Sequence, residues 1–297
     1  MNNKLLTTLL MTVCLLPLTL YAQTYTQSAS SDLIGEPQTI ELSSKDSLTS
    51  IARKYNVAYQ ELRYANPKFN AKKTTSAVLP SQFILPPQVG DGIVVNLAEF
   101  RLYYKIPGTE TIISAPISMG KMGWQTPLRD TTVERKEKDP AWVVPPNIQA
   151  EEAREGHAVR TFVAAGPKNP LGAYALKLAL PGYLIHGTDQ PSSIGKRVSH
   201  GCIRMYPEDI DVLFHAVPVD TPVHIVHEPI LVGWNDGKLY LEVHHSHTEY
   251  KKDSKTSHNL AHGIVQRALS LHPGYKVDWD KVDMIVDDAQ GLPVSVN

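Results

Sequence analysis

The sequence predicts a mainly β fold: a sandwich of short strands, with a small α+β unit before it and another after it. Three observations lead there. Between Gly92 and His227, short runs rich in Val, Ile and Tyr recur between Gly, Pro and Asn turns, and one stretch alone has a strong helical period. Thr39 to Pro87 instead reads strand, helix, helix, strand. From Pro229 a hairpin pattern is followed by two amphipathic helical patterns.

The chain opens MNNKLLTTLLMTVCLLPLTLYAQTY. Lys4 gives a short positive start, Leu5 to Leu20 form an apolar run broken by threonines and Pro17, and Leu20-Tyr21-Ala22 ends in a small residue. This is the layout of a secretory signal peptide, so residues 1–22 are expected to be removed and Gln23 to begin the mature chain. The run is short and threonine-rich for a membrane span. Cys14 lacks the small residue that precedes a lipidated cysteine and belongs to the apolar run. Residues 23–37 are polar, with SASS in the middle, and read as a linker.

In residues 38–87, Thr39 to Leu42 alternate like a strand. Asp46 or Ser47 can cap a helix whose apolar face holds Leu48, Ile51, Ala52 and Tyr55. A second helix follows Val57, turns Leu62 and Ala65 inward and stops at Asn66-Pro67. Phe83-Ile84-Leu85 is expected to close the unit as a strand. In residues 92–227 the strand candidates are Ile93 to Leu97, Arg101 to Lys105, Thr111 to Ser118, Ala141 to Val144, Tyr174 to Leu178, Tyr183 to Ile185 and Pro222 to Val226. A helix starts at Pro207-Glu208-Asp209 and buries Ile210, Leu213 and Phe214. In residues 228–297, Asn235-Asp236-Gly237 turns a hairpin, Thr256 to Leu271 and Val277 to Ala289 are helical, and Gly291 stops the second helix.

The charge is nearly balanced, with 29 basic and 30 acidic residues. That argues against nucleic acid as the main partner and against strongly electrostatic membrane binding. No long apolar segment follows the first, so the mature chain is expected to be soluble. Two cysteines occur in 297 residues, and removal of the signal leaves Cys202 alone. An unpaired cysteine in a secreted protein implies an intermolecular bridge or a free reactive thiol.

Its surroundings favour the thiol. The stretch YLIHGTDQPSSIGKRVSHGCIRMYPEDI holds His186 at the end of an apolar strand and His200 two residues before Cys202. A histidine can take the thiol's proton, or hold it as an ion pair that lowers its pKa. Gly201 lets the backbone beside the sulfur approach a substrate, with the amides of His200, Gly201 and Cys202 near one pocket. Gly187 turns the chain away from the strand that carries His186.

His186, twelve intervening residues, and then Ser199-His200-Gly201-Cys202-Ile203-Arg204 resembles the signature of the L,D-transpeptidases, the YkuD domain. The resemblance extends to IVVNLAEFRLYYK, WVVPP and GPKNPLGAYALKL, and so runs from about Gly92 to His227. It departs at Thr126-Pro127-Leu128-Arg129, where many members have Thr-Pro-Thr-Gly. SLTSIARKYNV, ELRYANP and ILPP resemble the LysM module, a binder of N-acetylglucosamine polymers. There Lys45-Asp46 stands for the usual Gly-Asp and Ser81 for the usual Gly. The module either binds glycan or serves as a spacer. The order of the two modules and the tail GWNDGKLYLEVH resemble the periplasmic enzymes of Gram-negative bacteria.

These resemblances imply a YkuD-type β-sandwich and a division into a signal (1–22), a linker (23–37), a LysM-like βααβ module (38–87), a catalytic domain (92–227) and an α+β C-terminal extension (228–297). They imply that Cys202 is the nucleophile and His186 the base, with a main-chain carbonyl of Gly187 orienting His186. The amides around Gly201 and Cys202 would form the oxyanion hole, while His200 and Ser199 shape the loop. Arg204 would support that loop or meet a substrate carboxylate, and Tyr183 would wall the pocket with Ser199. The implied reaction takes place in the periplasm on peptidoglycan tetrapeptide stems. A cysteinyl thioester to diaminopimelate would pass to a lysine of an outer-membrane lipoprotein, to a second stem, or to water in a carboxypeptidase. A non-catalytic wall-binding protein is the rival outside enzymes. Glycan strands, and a thiol reductase keeping Cys202 reduced, are the further expected partners.

No motif for a cofactor or metal stands out. There is no HExxH, GTDQPSSIGK has the wrong spacing for a phosphate loop, and DWDKVD lacks the turn glycine of a calcium loop. His244, His245 and His247 in VHHSH are of a type that ligates metals, but on a strand end without a cysteine partner they are expected as a surface cluster.

Overall fold

The computed structural model describes residues 23–250 and 252–297. The expected signal peptide and Cys14 lie outside them. The central body is a mixed sheet that closes on itself into a barrel-like sandwich. The long strand Thr111–Gly120 pairs with Arg101–Lys105 on one side and with Ile203–Met205 on the other. From there the sheet runs through Leu184–His186, Tyr174–Leu178, Arg129–Lys138, Pro222–Val226 and Ile93–Asn96, and so back to Arg101–Lys105. Closure removes the open edges along which a sheet would pair with other chains.

IVVN at 93–96 is apolar without alternation because both of its faces are covered. Ile93 and Val95 point into the barrel core with Leu102, Ile117 and Ile225. Val94 faces a second cluster with Ile34, Phe83, Tyr103 and Ile112. That outer cluster corrects the reading of residues 23–37 as a linker. Gln23–Thr26 pairs antiparallel with Thr111–Gly120, and Leu33–Gly35 pairs with Gln82–Ile84. Gln23–Thr26 is covered on alternate residues only, while Leu33 and Ile34 are both buried, in different clusters.

The βααβ unit forms, with a different closing strand. Gln38–Glu41 pairs with Ser76–Leu79, not with the Phe83 run, which belongs with Leu33–Gly35. Ser47 caps the first helix, Leu48–Tyr55, accepting from the Ser50 amide while Ser50 Oγ accepts from the Ser47 amide. Asp46 instead binds Ser43. Ile51, Ala52, Val57, Leu62 and Leu79 form the unit's own core. Polar bonds tie it to the sheet body: Arg53 pairs with Glu208, Asn56 Nδ2 donates to Asp209 Oδ1 at 3.0 Å, and Arg101 meets Glu61 at 3.3 Å.

At the other end the hairpin Ile230–Asn235 and Lys238–Val243 turns at Asp236 and Gly237, both at positive φ. The helices Ser254–Ser270 and Trp279–Asp288 cover it through Val265, Val282 and Ile285 on Leu239 and Leu241. Leu231 on its other face packs on Leu33 and Ile84. Among the described residues no helix is long and apolar enough to cross a membrane.

Candidate active site

The strands Leu184–His186 and Ile203–Met205 are parallel neighbours, with His186 opposite Arg204. Cys202 immediately precedes the second strand. Thiol, imidazole and guanidinium therefore come from matched positions on two hydrogen-bonded strands. They line a cleft of about 580 Å³ together with Tyr183, Ser199 and His200. Gly187 and Gly201 are not among its lining residues, though each adjoins one that is.

His186 is buried, and its Nδ1 lies 2.7 Å from the Gly187 carbonyl oxygen. A carbonyl can only accept, so the proton sits on Nδ1 and Nε2 keeps its lone pair. Burial pulls this imidazole down to about 3, and the Arg204 charge adds to the shift. Cys202 is half-buried, with Sγ 3.5 Å from the Gly182 carbonyl. Burial pushes its thiol up to about 11, against the Leu184 amide and Arg204, which favour thiolate. Both groups therefore rest neutral. Burial therefore disfavours the thiolate–imidazolium pair relative to the neutral pair. Of the two arrangements open from sequence, this favours a histidine that takes the proton as the sulfur attacks.

The loop carrying Cys202 is fastened from three sides. The buried Ser199 hydroxyl accepts from the Gly201 amide at 3.1 Å and donates to the Cys202 carbonyl. The Thr126 hydroxyl donates to the Gly201 carbonyl at 2.8 Å and accepts from the Gly120 amide. Gly201 has φ +105°, and a Cβ there would lie 2.8 Å from the Tyr183 ring. Because the Gly201 amide is engaged by Ser199, it does not point free into the cleft as the sequence reading expected. His200 stands edge-on to Trp124, and its Nε2 bonds Glu151.

Glu151 was not legible as a site residue. It sits on the helix Pro146–Arg154, where it also accepts from Trp124 Nε1 at 3.1 Å and meets Lys121 Nζ at 3.0 Å. The Lys121 contact, then His200 and Trp124, hold its carboxyl down at about 2. The available signal was Pro145-Pro146 followed by AEEAR, a helix start with good helix formers.

That helix belongs to the excursion between Pro140 and Leu171, which forms the facing wall with Trp142, Pro145, Ile148 and Leu171. Buried Asn169 staples its two ends. Its Nδ2 donates to the Pro140 carbonyl at 2.9 Å and the Ala164 carbonyl at 3.0 Å, and its Oδ1 accepts from the Leu171 amide at 2.8 Å. Arg204 is half-buried on the floor. Its Nε is buried without a hydrogen-bond partner among the described residues, and the Asp189 carboxylate opposes part of the cost of burying its charge. Glu134, Glu137 and Lys177 give the cleft a mixed-charge end.

Residues 90–225 match the YkuD family, the L,D-transpeptidase catalytic domain. Over 274 residues, 90% of this chain and 88% of the relative, the sequence is 37% identical to "Probable L,D-transpeptidase ErfK/SrfK" of Salmonella typhimurium. The chain belongs to the L,D-transpeptidase family. It is also 36% identical to "Probable L,D-transpeptidase YbiS" of Escherichia coli K12, over 90% of this chain and 89% of that one. The catalytic domain of the E. faecium L,D-transpeptidase, solved by NMR, aligns with 48% of this chain and 100% of that domain, at TM-score 0.37 and 25% identity.

The histidines of VHHSH are not a surface cluster in this L,D-transpeptidase. His244 and His247 are buried and His245 is exposed. His247 Nε2 bonds the Leu97 carbonyl at 3.0 Å, and His244 Nε2 meets Glu242 at 2.9 Å. The strand ends where the C-terminal segment joins the sheet body, so side chains that would be solvated on an isolated hairpin are covered.

Proposed function

We propose that this L,D-transpeptidase works in the periplasm on peptidoglycan tetrapeptide stems through a thioester on Cys202. The observation that carries the reading is that the Cys202 thiol and the His186 imidazole line one cleft, with Nδ1 of the imidazole held by the Gly187 carbonyl so that Nε2 is left as the base. His186 Nε2 takes the proton as Sγ attacks the carbonyl of diaminopimelate, the third residue of the stem. The Cys202 amide, rather than that of Gly201, carries the oxyanion role. The bond to the terminal D-alanine breaks, and His186 returns the proton to the leaving amine. An acceptor amine then attacks the thioester, giving up its proton through His186, and Cys202 regains its thiol.

The cleft's charges suit a zwitterionic peptide. Arg204, a guanidinium lining the cleft, fits a carboxylate, and Glu134 fits an ammonium group, whereas Glu137 is already paired with Arg135 and Lys177. Tyr183 and the facing wall exclude water from the thioester. The acceptor is a lipoprotein lysine or the side-chain amine of a second stem. The βααβ unit, as a LysM-like module, would hold the glycan strand, and a periplasmic reductant would keep Cys202 a thiol.

The test is to incubate the reduced mature chain with a disaccharide tetrapeptide, with and without a lysine-bearing lipoprotein C-terminal peptide. Products are read by mass spectrometry. Released D-alanine and a product joined through diaminopimelate are expected, and the amine in that product names the acceptor. Released D-alanine without a joined product would make the chain a carboxypeptidase. No release from folded protein would count against this substrate.

A further inference from the structure

Buried charge is densest away from the cleft, where three segments of the chain meet. Glu61 comes from the helix Tyr59–Ala65, Glu99 from the turn Leu97–Glu99 and Arg101 from the next strand. Glu242 and His244 come from the end of the C-terminal hairpin. All five are buried. Arg101 Nη2 lies 3.3 Å from Glu61 Oε2, so these two balance each other. Glu99 and Glu242 remain, both facing His244.

Each of these carboxylates has one oxygen fixed by the protein. The Tyr103 hydroxyl donates to Glu99 Oε2 at 2.7 Å, and the Ile84 amide donates to Glu242 Oε2 at 2.7 Å. The other oxygens turn toward one point. His244 Nε2 is 2.9 Å from Glu242 Oε1 and 3.9 Å from Glu99 Oε1, and the three ligand atoms lie within 4.8 Å of one another. Glu99 Oε1 is buried and has no hydrogen-bond partner among the described residues. Two carboxylates in a dry junction need a cation between them, either a shared proton or a metal ion.

Three features favour the metal. An ion about 2.1 Å from each ligand accommodates ligand atoms up to about 4.2 Å apart, which covers both spacings to His244. The outer oxygens are already oriented by hydrogen bonds, as the groups behind metal ligands are. There is also a way in: His244 lines a second cleft, of about 640 Å³, between the hairpin and the C-terminal helices. We propose that Glu99, Glu242 and His244 bind one divalent transition-metal ion, which fastens the C-terminal segment to the sheet body. His244 then carries its proton on Nδ1, and the ion replaces the contact between Nε2 and Glu242. Two carboxylates and a neutral imidazole balance a 2+ charge.

The test uses the full mature chain with Cys202→Ala, so that the thiol cannot chelate. After EDTA treatment and desalting, the protein is loaded with Zn²⁺ or Co²⁺, desalted again and measured by elemental mass spectrometry and visible absorption. One equivalent retained, a raised Tm, and Co²⁺ d–d bands without thiolate charge transfer are expected. Glu242→Gln and the near-isosteric Glu99→Gln should lower retention at least tenfold. Equal retention in folded variants would assign the metal to surface histidines such as His245 and overturn the proposal. So would the absence of Co²⁺ bands in the chain with all three ligands, which would leave protons holding the junction.

Discussion

In the cleft, His186 and Cys202 are held neutral. The imidazole is held by the Gly187 carbonyl on Nδ1 with the Leu171 backbone also bonded to the ring, and burial disfavours charge on both imidazole and thiol. At the junction, Arg101 and Glu61 are buried as a charged pair, and Glu99 and Glu242 converge on His244. Key groups in both regions are buried, yet burial has opposite consequences. In the cleft it disfavours charge on both groups. At the junction it makes each charge depend on its partner, which joins three stretches of chain.

The sharpest way to break this contrast is to remove one member from each region. Cys202→Ala should lower product formation by roughly 10³-fold or more while the far-ultraviolet circular dichroism stays unchanged. An active Cys202→Ala protein would remove the cleft from the account.

His186→Gln should cost about 10²- to 10⁴-fold in kcat and also alter acid stability. In the unfolded chain this histidine protonates near 6.5, whereas in the fold it does so only at about 3. Its contribution leaves stability unaffected above pH 6.5 and lowers it as pH falls from 6.5 toward 3, by up to about 1.4 kcal/mol per pH unit. Urea midpoints across that window should therefore fall less steeply in the Gln variant.

At the junction, Arg101→Met leaves Glu61 as an uncompensated buried charge and should destabilise by about 3–5 kcal/mol in urea. Adding Glu61→Gln should restore a substantial part of that loss, and strict additivity of the two changes would show that they do not form a pair.

Gly201→Ala tests the loop with the smallest expected stability cost, about 1–3 kcal/mol. Activity should fall with it. Tyr183→Ala in the same chain should relieve the contact with the ring and leave the cost of φ +105°. Full rescue would mean that backbone strain contributes nothing.

The same contrast explains what was legible in the sequence. Ile93 to Leu97, Arg101 to Lys105, Tyr174 to Leu178, Pro222 to Val226 and the helix from Pro207 were readable because each combines an apolar pattern with local turn or cap signals. Arg129–Lys138 was not, although it lies in the middle of the sheet. Val133 is its one buried residue, and Glu134 and Glu137 face the cleft, so it reads as a charged loop. The loop around Cys202 was visible because its residue types sit close together in sequence. Glu151 was not, since it reaches His200 from 49 positions away. The strands in 23–37 and the burial of His244 depend on pairing across the chain, which local pattern does not carry.

The most direct test of the central claim is the intact mass of the protein, quenched within seconds of mixing with a disaccharide tetrapeptide. The account predicts a transient adduct equal to the tetrapeptide substrate less D-alanine, located on Cys202 by peptide mapping and absent from Cys202→Ala. Release of D-alanine at an unchanged rate from Cys202→Ala, with no adduct on the parent chain, would contradict it.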